Sequence, residues 1–148
     1  RKILDRCLMA SDKNYSKNFF SFHRSLKQRN AALKFKRLTN IDMWSEIFIN
    51  SGTLISEKRN NFFEETKQTF FRFAKSLKDK RVLEIINSLE ILFHKGWASQ
   101  HSLKEVLELN RDSDQRKTST TYRIVEKCKW ELIVPSPHPI WLGFPLQD

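Results

Sequence analysis

Over most of this chain the apolar residues repeat at helical rather than strand-like spacing. The short opening stretch from Lys2 to Met9 carries Ile3, Leu4 and Leu8 at the spacing of a helical turn, and Ser11 or Asp12 can cap the next helix. From Phe19 to about Leu38, Phe19, Phe22, Leu26 and Leu33 fall within about 60° of arc and form one stripe. Arg24 lies opposite that stripe, and Lys27 and Lys34 lie on one flank, so burial of the stripe turns these three cations toward water. Arg29 and Lys36 fall nearer the other flank, and Arg37 falls on the stripe itself, which predicts a helix end before Arg37.

A second repeat begins near Asp42, with Thr39 or Asn40 as N-cap. Its apolar positions are Trp44, Ile47, Phe48, Leu54, Ile55, Phe62, Phe63, Phe70, Phe73, Ala74 and Leu77, with Gly52 the weak point. Unbroken to Lys78, that helix would be about 55 Å long, too long for one small core, so it predicts an extended hairpin with the basic helix before it. A third helical segment spans roughly Arg81 to Asn87. Leu89, Ile91 and Phe93 then alternate with polar neighbours as a strand does, although Leu92 breaks the pattern. After Gly96 and Trp97, a short amphipathic helix runs from Ser102 to Leu109 with Leu103, Val106 and Leu107 on one side, and a polar link leads to Thr121. All four prolines, Pro135, Pro137, Pro139 and Pro145, lie in the tail from Trp130, where irregular, poorly ordered chain is expected.

The expected fold class is mainly α: a long antiparallel helical hairpin or arm, one or two short strands, and an irregular Pro-rich tail. Residues 1–88 make the helical arm region, 89–123 a strand–helix return, and 124–148 an atypical tail. At 148 residues one domain is expected. Arg1 rather than Met opens the chain and no basic-then-apolar leader comes after it, so it is expected to be cut from something longer and not secreted. No apolar run approaches the roughly 20 residues of a membrane helix, and no membrane association is expected. Cys7 and Cys128 are far apart and read as reduced cytosolic thiols, with Cys7 buried among apolar neighbours.

Charge changes the picture. The net charge of +10 favours a polyanionic partner. It is concentrated: between Asp12 and Asp42 there is no acidic residue, while Lys13, Lys17, Arg24, Lys27, Arg29, Lys34, Lys36 and Arg37 accumulate. Arg24, Lys27, Arg29, Lys34, Lys36 and Arg37 are the candidate DNA-binding residues, through sequence-independent phosphate contacts. The bland reading is a solvated face, or pairs with acids of the neighbouring helix. A further reading is a protein-interaction arm whose cations meet an acidic partner surface.

Catalytic chemistry is not expected. The glycines are Gly52, Gly96 and Gly143, so no Gly-rich phosphate loop ending in Lys and Ser or Thr can be built, and Lys95 precedes Gly96 instead of coming after it. His23, His94, His101 and His138 are scattered, with no metal-ligand pattern. Glu64 and Glu65 point in different directions on a helix and read as a solvated face. Trp44 and Trp97 sit within apolar patterns and read as core anchors rather than base-stacking platforms.

Several segments carry a family resemblance. Ser25-Leu26-Lys27-Gln28-Arg29-Asn30-Ala31-Ala32-Leu33-Lys34 is similar to the Leu-Lys-Gln-Arg-Asn-Ala segment of the RecF family. Arg1-Lys2-Ile3-Leu4-Asp5 resembles its Arg-x-aromatic-Leu-Asp element, with Ile3 in place of the aromatic. Trp44, Gly52, Ile55 and Arg59 resemble the helix that opens with Trp and later carries Gly-x-x-Ile-x-x-x-Arg. Phe93-His94-Lys95-Gly96-Trp97, the Leu103 and Leu107 helix and Arg111-Asp112 resemble its strand ending in Gly-Trp and the subsequent helix. The match covers roughly residues 1–123. The family's Gly-Pro-His-(Lys/Arg) segment has no equivalent after Arg123, and a shifted reading frame or chimeric join near Tyr122 is the reading of that break.

The resemblance implies the arm of an SMC-like α/β ABC-type ATPase head, in a cytoplasmic DNA repair and recombination protein. Such a protein binds duplex DNA next to single-stranded gaps, forms an ATP-dependent homodimer, and assists RecA loading with RecO and RecR. ATP and Mg are implied for the parent family. The Walker A lysine, the Ser-Arg-Gly signature and the Walker B aspartate fall outside the matched segment, so no cofactor and no catalytic or metal-binding residue is expected within it.

Overall fold

The computed structural model describes residues 2–120 and 128–133. In order, the elements are α1 (Lys2–Ser11), α2 (Lys13–Lys34), α3 (Leu38–Ser76), α4 (Lys80–Ser88), β1 (Glu90–His94), α5 (Leu103–Leu109), α6 (Arg111–Lys117) and β2 (Lys129–Ile133). The mainly helical fold class and the long hairpin stand as the sequence predicts.

Asp12 separates α1 from α2 and caps the latter, its side chain accepting from the backbone N–H groups of Asn14 (2.8 Å) and Tyr15 (3.1 Å). At the other end of α2 the chain reverses in three residues. Lys36 takes a left-handed conformation with φ 53°, its N–H donates to the Leu33 carbonyl (3.2 Å), and the Arg37 N–H donates to the Ala32 carbonyl (3.0 Å). These are the two bonds of a Schellman turn. The chain re-enters helix directly from this turn, so α3 starts at Leu38 without a side-chain cap. Thr39 and Asn40 are not the cap the sequence pattern predicts, because both already lie in the first turn.

The hairpin is antiparallel, and its register can be read residue by residue. Arg29 Nε donates to Ser45 Oγ (2.9 Å), the rings of Phe22 and Phe48 stack with centroids 4.6 Å apart, and Tyr15 meets Arg59 (3.1 Å). Between Phe22 of α2 and Leu103 of α5, Gly52 leaves room for both: a Cβ there would stand 2.7 Å from Leu103 Cδ2 and 3.3 Å from the Phe22 ring. Gly52 is thus a packing contact and not a break, and α3 runs through it as one helix of 39 residues, about 58 Å.

One core fills this crossing: Leu4, Leu8, Tyr15, Phe22, Phe48, Ile55, Leu103, Val106 and Leu107, with Phe19, Leu26 and Trp97 packed at its edge. A smaller cluster of Ala32, Leu33 and Ile41 sits beneath the reversal. Trp44 and Trp97 are both half-buried, and Trp97 Nε1 donates to the His101 carbonyl (2.9 Å). Beyond Phe63 the α3 stripe outruns α2. Ala74 is buried there, but Phe70, Phe73 and Leu77 are exposed.

Four expectations need correction. Cys7 is exposed, because the buried face of α1 is Leu4, Asp5 and Leu8, and Ile3 and Cys7 turn away from it. The polar link contains a helix, α6, whose acids Asp112 and Asp114 sit in its first turn and whose Arg116 and Lys117 sit in its last, matching the helix dipole. The tail is not irregular from Trp130: Lys129–Ile133 is β2, paired antiparallel with β1 from Glu90↔Ile133 to His94↔Lys129. Arg29, placed toward a flank by the sequence pattern, is buried. The four prolines lie outside the described residues.

Candidate nucleic-acid interface

Two buried ion pairs hold the hairpin from within. Arg59 donates to Asp5 through Nε (2.9 Å to Oδ1) and Nη2 (3.0 Å to Oδ2), and the Tyr15 hydroxyl donates to Asp5 Oδ1 (2.6 Å). All three residues are buried. Burial and the adjacent Asp5 carboxylate push the Tyr15 phenol well above its usual range, so it remains a hydrogen-bond donor. Burial disfavours the Arg59 charge, but Tyr15 and Asp5 more than offset that and raise its pKa. The second pair joins Arg29 Nη1 to Asp114 Oδ2 (2.9 Å), and Arg29 also donates to Ser45 and Thr120. Beside it, Thr120 donates to Asn30 Oδ1 from both its N–H (2.8 Å) and its hydroxyl (2.6 Å).

Arg29 is therefore withdrawn from the candidate DNA contacts. It is 2% exposed and its guanidinium is committed to Asp114, Ser45 and Thr120. The remaining candidates, Arg24, Lys27, Lys34, Lys36 and Arg37, are all exposed. So are Lys13 and Lys17 of the same helix. On α2 the five cations Lys13, Lys17, Arg24, Lys27 and Lys34 lie within about 100° of arc and about 32 Å of length, on the side away from the core. Among the described residues none of these seven side chains takes part in an ion pair, although Lys58 does pair with Asp12 at the start of the face (2.8 Å). The alternative of neutralisation by acids of α3 thus finds no support at these positions.

The Schellman turn extends the cationic face. Lys34, Phe35, Lys36 and Arg37 are consecutive and exposed, and the Arg37 guanidinium carbon stands 5.7 Å from the Phe35 ring centroid. Elsewhere charge is balanced: the cleft of about 430 Å³ between α3 and α5–α6 is lined by Asp42, Glu46 and Glu108 as well as Arg29, Lys104 and Arg111, and Arg111 pairs with Asp42 (3.2 Å). Among the described residues there is no group of three or more His, Cys, Asp or Glu that could hold a metal ion. No helix among them is long and apolar enough to cross a membrane.

The sequence pattern turned Arg24, Lys27 and Lys34 outward correctly, set Arg37 on the stripe although it is exposed in the turn beyond α2, and misplaced Arg29. The signal for its burial was present: Arg29 lies seven residues after Phe22, three after Leu26 and four before Leu33, on the apolar stripe. Arg59 has the same signature, four after Ile55 and four before Phe63.

Comparison with known proteins agrees with this frame. No family model matches the chain. The "DNA replication and repair protein RecF" of Pseudoalteromonas translucida is 35% identical over 126 residues, which is 82% of this chain and 33% of that protein. RecF of Coxiella burnetii is 28% identical over 123 residues, covering 81% of this chain and 32% of its own length. RecF of Caldanaerobacter subterraneus subsp. tengcongensis is 27% identical over 143 residues, 93% of this chain and 36% of its own length, a match that runs past residue 123. Among solved structures, one titled as the recombination mediator protein RecF-ATP in the RecFOR pathway matches with a TM-score of 0.70 and 23% identity, over 90% of this chain and 38% of that one. The chain thus spans about a third of the length of the relatives it matches. Several of the residues that carry the sequence resemblance, Asp5, Arg29, Asn30, Gly52, Ile55 and Arg59, are among those that pack and pair inside this fold, and with the comparisons they place the chain in the RecF family, as a segment equivalent to about a third of a RecF protein.

Proposed function

We propose that the outward face of α2 and the turn after it bind duplex DNA through phosphate contacts that do not depend on base sequence. The observation that carries this reading is the line of exposed cations, Lys13, Lys17, Arg24, Lys27, Lys34, Lys36 and Arg37, backed by buried Phe22 and Leu33 and free of ion pairs among the described residues. A stripe of that length parallels several phosphates of a duplex, and neutralising them releases condensed counterions. The segment itself is non-catalytic in this reading. In the whole protein it would serve DNA repair and recombination in the cytoplasm, at duplex next to single-stranded gaps, where RecA is loaded with RecO and RecR. ATP and Mg belong, in the same reading, to the head outside this segment, which hydrolyses ATP and dimerises with it.

The test is charge reversal at Lys27 and Lys34 with DNA binding measured over a salt series. Wild-type affinity should fall steeply and equally for unrelated sequences, with a log–log salt slope near −0.9 per phosphate contacted, and the double reversal should lower both affinity and slope. A slope near zero would dismiss phosphate binding. A second reading, an arm that contacts a partner subunit, draws support from exposed Phe70 and Phe73 on α3 and Leu77 at its C-cap. It predicts that trimming these residues to alanine lowers capture of RecR or RecO while DNA binding is unchanged.

A further inference from the structure

The exposed aromatic at the hairpin reversal is not explained by the fold. Phe35 is 64% exposed, although Leu33 and Ile41 beside it supply the local core. Its position is nonetheless tightly defined, because it is the C-cap of α2 and its N–H donates to the Ala31 carbonyl (3.0 Å) inside a completed Schellman turn. It is flanked by Lys34, Lys36 and Arg37, and Arg37 lies over its ring. Lys36 also borders a cleft of about 450 Å³ that Phe35 does not line, formed by Leu33, Ile41, Asp112, Gln115 and Arg116. The turn therefore combines an exposed aromatic ring on a defined backbone with three adjacent exposed cations.

We infer that Phe35 is a stacking platform for an unpaired base, with the exposed Lys34 and Lys36 that flank it in the turn holding the adjoining phosphates. The inference rests on the duplex-binding reading above and adds to it a device for the end of a duplex. Paired bases are stacked on each other and offer no face to Phe35. At the first unpaired nucleotide one face is free, and a ring held beside the phosphate track can cover it. Because every base has a π-face, the preference concerns strandedness and not sequence. A protein partner with an apolar pocket could use the same ring, but the cations around it and the absence of an acidic residue from Lys13 to Ile41 favour a polyanion.

The experiment uses the full chain with two probes: a blunt duplex, and the same duplex with a single-stranded overhang that carries 2-aminopurine at its first unpaired position. Wild type should quench the 2-aminopurine and bind the overhang duplex about tenfold more tightly than the blunt one. Phe35→Ala should lose the quenching and the preference while keeping its affinity for blunt duplex and its salt slope, and Phe35→Trp should keep all four properties. The circular dichroism of both variants should match wild type, since the side chain lies largely outside the core. If Phe35→Ala quenches as wild type does, or weakens both DNAs equally, or leaves DNA binding intact while losing RecR or RecO, the stacking role is overturned and the duplex reading stands. If wild type binds neither DNA, both fall.

Discussion

Asp5 and Arg59, 54 positions apart in the chain, face each other through two hydrogen bonds of 2.9 and 3.0 Å. The pair ties the first helix to the middle of the longest one, and Tyr15 of α2 closes the triangle from the third side. Removing either partner strands a buried charge. Asp5→Ala or Arg59→Ala should therefore cost about 3–5 kcal/mol, whereas Tyr15→Phe, which leaves the pair intact, should cost about 1 kcal/mol. Urea denaturation monitored by circular dichroism checks the order, and equal losses for Tyr15→Phe and Arg59→Ala would contradict it.

Gly52 is occupied on its open side by Leu103 and Phe22. Alanine is the better helix former by about 1 kcal/mol, but overpacking costs about 1–3 kcal/mol, so Gly52→Ala should be net destabilising by roughly 1 kcal/mol. The effect should vanish when Leu103 is already alanine, because the atom in the way is Leu103 Cδ2. A double-mutant cycle measures this, and additive losses would show that the clash lies elsewhere.

Lys36 occupies the left-handed position of the Schellman turn, φ 53°, which glycine adopts without steric cost. Lys36→Gly should raise stability by about 0.5–1 kcal/mol and, by removing a cation, weaken DNA binding. The two measurements are expected to move in opposite directions. Loss of stability would mean that the lysine side chain contributes a contact not visible at the turn.

The hydrogen bond from Lys58 and the backbone N–H groups at the start of α2 lower the pKa of Asp12 below its ordinary 3.8. The folded value is the depressed one, so this stabilisation is fully present above 3.8 and is lost as pH falls through the folded value. Lys58 is raised above 10.5 by the same partner, and its share is lost only as pH rises past that. Melting curves of wild type and Asp12→Asn should differ by a small margin between these limits, since the pair is exposed and Asn can also cap, and should converge once the pH falls below the folded value. A separation that persists at that acidity would assign the difference to something other than the carboxylate.

The legible and the hidden parts of this fold differ in whether their signals are local. Stripes of Phe, Ile and Leu announce helices α2 and α3, and Asp12 announces the start of α2, because each of these signals lies within or directly beside the element it marks. Arg111–Lys117 contains no apolar residue, so nothing in its pattern distinguishes a helix from a link; its anchor is Asp114, which is buried only because Arg29 meets it. β2 likewise depends on a partner 39 residues earlier, with His94 and Glu131 paired across the strands at 2.7 Å. Among the candidate site residues, Arg24, Lys27 and Lys34 were legible from helical geometry, whereas Lys36 and Arg37 are exposed because they lie in the turn, where the helical wheel no longer applies. For Arg29 the spacing beside the apolar stripe was legible but its partner was not, since such a charge is accommodated only when the distant Asp114 carboxylate arrives to receive it.

The 39 residues of α3 contain no proline, and their single glycine is held between Phe22 and Leu103. Such a helix behaves as a strut. Its start leaves the turn that carries Phe35 and Arg37, and its far end displays Phe70, Phe73 and Leu77. With the middle fastened by Asp5 and Arg59, the cationic turn and the greasy tip sit at opposite ends of one rod, so a molecule held at one end finds the other at a set distance.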